Sequence, residues 1–255
     1  MSASTSRPLP ARPPADDLPA GGSGAMFDHI AGRYDLLNRI ISLGLDRRWR
    51  RQLVAALELK PGQRVLDLAT GTADVVLEIL RRQPRLEVVG LDPSPRMLAV
   101  ARRKLARAGA AERVVLRRGR AEALPFEDAS FDALSIAFGI RNVPDRPAAL
   151  RQMARVVRPA GRVAILELGE PRVGVLTPLA RWYVHRLVPA VGGWLSGARE
   201  YAYLERSIAA FPPPGRFAEL MARHGLEVLA VHALAFGACH LYVARPAAGV
   251  REEAR

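Results

Sequence analysis

From Phe27 onward the apolar residues Phe27, Ile30, Tyr34, Leu37 and Ile41 recur at steps of three and four, which puts them on one stripe of an amphipathic helix. That pattern predicts a helix from Met26 to Gly44 and a second, basic one over Asp46–Leu59. Lys60-Pro61-Gly62 is a turn, and Arg64–Ala69 after it reads as a short buried strand. Helical pattern then covers Asp74–Arg82, Pro95–Ala108, Arg146–Val157 and Gly215–His224. Strand pattern covers Leu86–Leu91, Val114–Arg118, Phe131–Phe138, Arg162–Leu168, Leu226–Leu234 and Cys239–Ala244.

Strands alternating with helices of this length imply crossover units, hence an α/β fold with a Rossmann-like, doubly wound, mostly parallel sheet of seven strands. The stretch 174–211 breaks the rhythm and is too long for an ordinary connection. It reads as a helical insertion after the fifth strand, with helices around Pro178–Leu187 and Ala202–Ala210. One domain spans residues 26–245, between a Pro/Ala/Gly-rich tail over 1–25 and a short tail over 246–255, both expected to be disordered. Met26 offers an alternative start of translation.

Composition narrows the classes. Of 255 residues, 49% are hydrophobic and only 6% aromatic, as suits a core of Ala, Val and Leu. The single cysteine, Cys239, cannot form an internal disulfide, and no Cys/His cluster has metal-ligand spacing, so a reducing compartment and no metal are expected. The first 25 residues lack the apolar run of a secretory signal, and no run approaches the ~18 apolar residues of a membrane span. The expected location is cytoplasmic, with attachment to the inner face of a membrane left open. The charge of +13 rests on arginine, since Lys60 and Lys104 are the only lysines. It reads as a bias spread over solvated faces rather than a footprint for nucleic acid or anionic lipid, clusters such as Arg47-Arg48-Trp49-Arg50-Arg51 included.

Candidate chemistry begins at Val65-Leu66-Asp67-Leu68-Ala69-Thr70-Gly71-Thr72-Ala73-Asp74, a strand running through a small-residue turn into a helix. Ligands of doubly wound sheets lie at the carboxyl ends of the strands near the point where strand order reverses, so a nucleotide-like cofactor belongs at this turn. A dehydrogenase turn carries three glycines for a pyrophosphate; here Gly71 stands alone and Asp67 lies inside the strand. A negative group there repels phosphate but suits a cofactor bearing a sulfonium and an ammonium. About twenty residues on, Val88-Val89-Gly90-Leu91-Asp92 ends a strand in a carboxylate able to accept both ribose hydroxyls of an adenosine. Taken alone, Asp92 could equally be a turn or cap residue. The loop Ala121-Glu122-Ala123-Leu124-Pro125-Phe126 offers an apolar wall to an adenine ring, or ordinary cover for the sheet edge.

With these blocks the chain resembles the ubiquinone/menaquinone biosynthesis C-methyltransferases, of the class I S-adenosylmethionine-dependent fold. The narrower matches are Phe27-Asp28-His29-Ile30-Ala31-Gly32-Arg33-Tyr34-Asp35-Leu36-Leu37-Asn38, Phe138-Gly139-Ile140-Arg141-Asn142-Val143 and Tyr203-Leu204-Glu205-Arg206-Ser207-Ile208. The resemblance implies S-adenosylmethionine as methyl donor, with Asp67 and Gly71 at the turn, Thr72 at its methionine part, Asp92 at its ribose, Arg120 and Ala121 flanking adenine, and Ala137 near the methionine end. Three positions depart from the family: Ala73 replaces a glycine, Arg120 an Asn or Asp, and Ala137 a serine. Backbone contacts then take over at Arg120 and Ala137.

The acceptor implied is an isoprenoid quinol, most simply demethylmenaquinol, with 2-methoxy-6-polyprenyl-1,4-benzoquinol as the alternative. A reduced ring supplies the electron-rich carbon that displacement at a sulfonium requires. Arg141 is the candidate for stabilising a phenolate, or else a clamp tying its loop to a carboxylate such as Asp145. Tyr34, Asn142 and Tyr203 are expected to line the acceptor side, with His185 as a further aromatic. Residues Val175, Leu176, Leu179, Trp182, Tyr183, Leu187 and Val188 of the insertion form an amphipathic stretch suited to lipid, to the tail of the substrate, to the sheet, or to a second copy in a homo-oligomer. From other classes, a nucleic-acid methyltransferase would want an Asn/Asp-Pro-Pro-aromatic block and an oxidoreductase the missing glycines; a non-catalytic adenosyl-binding module stays open.

Overall fold

The computed structural model describes residue 28, residues 31–32, residues 34–169 and residues 206–248. Two helices, α1 (Tyr34–Ile41) and α2 (Leu45–Ala56), lead into the alternating series. It runs β1 (Arg64–Leu68), α3 (Asp74–Arg82), β2 (Glu87–Asp92), α4 (Pro95–Arg107), β3 (Val114–Arg118), β4 (Phe131–Ala137), α5 (Arg146–Val156) and β5 (Val157–Leu168). Helix α6 (Pro214–Arg223) and strands β6 (Leu226–Leu234) and β7 (Cys239–Pro246) complete it.

The seven strands form one sheet in the order β3-β2-β1-β4-β5-β7-β6. Pairing is parallel from β3 across to β5, and β7 runs antiparallel to both of its neighbours. Chain order reverses between β1 and β4, and the carboxyl ends of those strands open the crevice in which such sheets hold ligands. This is the seven-stranded, mostly parallel architecture expected from the sequence.

A buried parallel strand must be apolar on both faces, and successive side chains alternate between them. In β1, Leu66 and Leu68 pack on one side with Leu134, Leu150, Met153, Phe217 and Met221. Val65 faces the other, with Leu53, Val54, Val76, Ile79, Ala101 and Leu105 from α2, α3 and α4. Asp67 interrupts the apolar run, yet it is only 1% exposed. A buried carboxylate in a core strand needs partners, and those partners define the site.

Two boundaries differ from the sequence expectation. The stripe expected as one helix from Met26 is broken by a turn at Ala31–Gly32, and α1 starts at Tyr34. Strand β5 starts at Val157 rather than Arg162, because Phe131 pairs with Val157 and Ala133 with Arg162. The intervening residues 158–161 form an excursion that only glycine can close: a Cβ on Gly161 would stand 2.6 Å from the Asp132 carbonyl oxygen. The expected tail over 1–25, the first insertion helix, His185 and Tyr203 lie outside the described residues. Among the described residues no helix is long and apolar enough to cross a membrane.

Candidate functional site

The turn after β1 takes its shape from three left-handed residues, Ala69 (φ 48°), Gly71 (φ 54°) and Ala73 (φ 69°). Alanine is strained there, so the surroundings must hold the turn. Asp92 does much of that. Its carboxylate accepts from the backbone N–H of Gly71 at 2.9 Å and of Ser94 at 2.8 Å, joining the ends of β1 and β2. Each oxygen keeps a further lone pair for a ligand. On the opposite wall, Phe138 at the end of β4 is also left-handed (φ 58°), and a Cβ on Gly139 would lie 2.5 Å from that of Ala69. The two turns are thus packed against each other at the switch point.

Between them lie two adjoining cavities. The larger, about 720 Å³ with the space open to solvent included, is lined by Leu91, Asp92, Met97, Arg120, Ala121 and Glu122 at one end, and by Phe138, Gly139, Asn142 and Val143 at the other. The smaller, about 320 Å³ on the same basis, is lined by Arg50, Asp67, Thr70, Thr72 and Asp74. Tyr34, Ala69, Gly71 and Ala137 line both. The structure therefore brings together Asp67, Gly71, Thr72, Asp92, Arg120, Ala121 and Ala137, with Tyr34 and Asn142 beside them.

The small cavity is bipolar. Asp67 accepts from the Thr70 hydroxyl at 2.7 Å and, directly across the strand pair, from the Ser135 hydroxyl at 2.6 Å. Arg50 is buried, ion-paired to Asp46, 3.6 Å from Asp74 and 5.5 Å from the centre of the Phe138 ring. The arginine run of α2 is consequently not one solvated face: Arg47, Arg48 and Arg51 are exposed while Trp49 and Arg50 turn inward. A cation beside carboxylates complements a zwitterion such as the amino-acid end of S-adenosylmethionine. Asp92 and the apolar wall of Leu91, Met97 and Ala121 complement its adenosine. The Arg120 guanidinium is held by Glu122 at 3.0 Å. The residues present fit that donor.

The N-terminal segment is fastened over this cleft. The Thr72 hydroxyl donates to Asp35 of α1 at 2.5 Å, and the Lys104 ammonium donates to Asp35 at 2.7 Å, to Thr72 at 3.2 Å and to Asp74. Asp28 accepts from the Ser94 hydroxyl and from the Arg96 N–H at 3.1 Å, at the start of α4. In the sequence Asp28 and Asp35 stand within a motif with no role attached to them, and Lys104, Arg50 and Ser135 carry no site signal. A lone lysine mid-helix carries no signal until the fold sets α1 beside α4.

Arg141 does not meet the carboxylate expected of it. Asp145 accepts from the Ala148 N–H at 2.8 Å and so caps α5, while Arg141 pairs with buried Glu167 of β5 at 2.6 Å. Arg141 also donates to the Phe138 carbonyl at 2.8 Å, and its own N–H donates to Glu167 at 3.0 Å. The lining residues on either side of it, Gly139 and Asn142, face the large cavity. A clamp with Glu167 as partner describes this geometry.

A match to the model of the ubiE/COQ5 methyltransferase family covers residues 21–245. The chain belongs to that family. It is 46% identical over 220 residues to the Thermus thermophilus demethylmenaquinone methyltransferase, covering 86% of this chain and 98% of the relative. A Deinococcus radiodurans protein of the same name is 43% identical, with 91% and 96% covered. The Geobacter sulfurreducens ubiquinone/menaquinone biosynthesis C-methyltransferase UbiE is 44% identical, with 85% of each covered. Among solved structures, the [4+2]-cyclase SpnF superposes with a TM-score of 0.65 at 17% identity (88% and 95% covered). A Haemonchus contortus phosphoethanolamine N-methyltransferase in complex with S-adenosyl-L-methionine gives 0.57 at 17% identity (77% and 52%). A cyclase and a methyltransferase on one fold show that the sheet alone does not choose the chemistry.

For a ubiE/COQ5 family member the charge state of this cleft matters. Burial raises Asp67 and Asp92 to about 6 each; hydroxyl bonds from Ser135 and Thr70 pull Asp67 back, as the Ser94 and Gly71 N–H groups do Asp92. Before the donor binds, ionising them costs stability as pH rises from the unfolded carboxylate value through 6. A cationic donor held by these two carboxylates binds best when both are ionised, so binding through them is favoured above about pH 6 and weakens below it. Affinity for S-adenosylmethionine is expected to fall about tenfold or more between pH 7.5 and pH 5. Calorimetric titration at the two values checks this; a flat profile would place the donor's charges elsewhere.

Proposed function

We propose that the chain methylates a ring carbon of an isoprenoid quinol, using S-adenosylmethionine, and that demethylmenaquinol is its acceptor. The observation that supports this reading most is the near full-length identity, above 40%, to two proteins named demethylmenaquinone methyltransferase. When bound, the donor supplies an electrophilic methyl group on a sulfonium. The chain's residues hold and orient the two reactants.

In this reading Asp92 accepts the ribose hydroxyls, the Gly71 backbone lies along the donor, and Arg50 with Asp67 receives its zwitterionic end. Arg120 and Ala121 flank adenine, Thr72 faces the methionine part, and Ala137 forms floor common to both cavities. The acceptor ring enters against Phe138, Asn142 and Val143. The Tyr34 phenol, half-buried where the cavities meet, is raised above its ordinary value, chiefly by burial, against the lowering effects of Asn38, Arg141 and Arg50. It stays protonated at neutral pH and can donate a hydrogen bond to a quinol oxygen. Arg141, held by Glu167, acts from behind that wall as a positioning residue whose charge favours a phenolate. Effective molarities of ~10⁵–10⁸ M from orientation alone supply a large share of the acceleration.

The test supplies labelled donor with demethylmenaquinol and with 2-methoxy-6-polyprenyl-1,4-benzoquinol, each in detergent under reducing conditions. Label is expected in the naphthoquinol product. Label in the benzoquinol alone would overturn the choice of acceptor, and label in neither would overturn the quinol reading.

A further inference from the structure

The corner between α1 and α2 puts apolar bulk into solvent. Leu43 is 70% exposed, Leu36 53% and Leu45 37%. Leu43 is also left-handed (φ 51°), followed by Gly44 (φ 76°), a conformation a leucine adopts only when the surrounding chain imposes it. Beside the leucines stand exposed Arg39, Arg47, Arg48 and Arg51, none of them ion-paired among the described residues. The opposite face of α2, with Trp49, Leu53 and Val54, is committed to the core.

We propose that this corner docks on an anionic phospholipid surface, with Leu43 at its tip inserted among the acyl chains and the arginines at headgroup level. Charge complementarity selects an anionic partner, and the leucines select lipid: a nucleic acid would engage the arginines and leave three apolar side chains against water. Arginine suits this place because its stem lies along apolar surface while the guanidinium stays at the phosphates. The corner is also connected to the site, since Tyr34 opens α1 and lines both cavities. Docking there brings the cleft to the surface in which an isoprenoid tail resides. The inference rests on the quinol reading for its purpose but not for its test.

The full chain is sedimented with phosphatidylcholine vesicles with and without phosphatidylglycerol, in the absence of donor and acceptor. Binding is expected on the anionic vesicles and weakens with salt. Leu43→Glu, and separately the pair Arg47→Glu and Arg48→Glu, each reduce partition by about tenfold or more. Donor affinity by calorimetry and the melting temperature stay unchanged, because these side chains are exposed and outside the cleft. No binding by the parent chain, equal binding to neutral vesicles, or variants that bind like the parent would overturn the proposal. So would loss with the arginine pair alone, which describes a general polyanion site. Methyl transfer to a detergent-solubilised quinol is read separately, so failure of docking and failure of the acceptor assignment remain distinct results.

Discussion

Asp92→Ala is expected to weaken binding of S-adenosylmethionine by two to three orders of magnitude while leaving the sheet intact. Three losses combine. The acceptor for the ribose hydroxyls goes, and the Gly71 and Ser94 N–H groups that Asp92 satisfies are left buried without it. A hydrogen bond to a charged group contributes roughly 1.5–3 kcal/mol, and an orphaned buried donor costs about 1–3 kcal/mol. Part of that cost falls on the free protein, and about 3–4 kcal/mol remains for binding, at roughly 1.4 kcal/mol per tenfold. Asp92→Asn should fall between, because its amide oxygen accepts from one N–H while its NH₂ opposes the other. Calorimetry gives the dissociation constants and circular dichroism confirms the fold; an alanine variant within about threefold of the parent would remove Asp92 from the binding site.

Asp92 was legible in the sequence because the signal there is local: a short continuous apolar run, Val88-Val89-Gly90-Leu91, an acid at its end, and the spacing of one crossover unit from the turn at Gly71. The same holds for the seven strands, whose apolar runs are bounded by turn residues. What did not show was decided at long range. Arg50 sits in a run of arginines, and only the packing of Trp49, Leu53 and Val54 on the sheet turns it inward. Glu167 looks like any acid near a strand end until β4 and β5 pair and set it under Arg141. The start of β5 did not show either, because Pro159 and Gly161 are residues that break a strand pattern, whereas the pairing with β4 begins at Val157 and resumes at Arg162. The left-handed alanine at 69 gave no sign either, since alanine rarely adopts that conformation and the strain is imposed by Asp92 and by the neighbouring turn; at 73 the glycine of the family is the one hint of a left-handed backbone.

Glu167→Ala should lower stability by about 3–5 kcal/mol, because removing one partner of a buried ion pair leaves the other charge without compensation. Both carboxylate oxygens are in use: one accepts from the Arg141 guanidinium at 2.6 Å and from the Leu168 N–H at 2.9 Å, the other from the Arg141 N–H at 3.0 Å. At roughly 2–4 °C per kcal/mol for a domain of this size, the melting temperature drops on the order of 10 °C. An unchanged melting curve would mean that Glu167 is not what holds Arg141. The pair Arg141→Met with Glu167→Leu separates holding from chemistry, since apolar replacements of similar volume often restore the stability that a broken pair loses. The melting temperature is expected to return toward the parent value, yet methyl transfer is not. The Arg141 charge is felt at the Tyr34 phenol, which it pulls down against the effect of burial, and the same field acts on any phenolate that forms beside Tyr34. A hydrocarbon pair supplies the wall without the field, so full recovery of transfer would reduce Arg141 to a clamp.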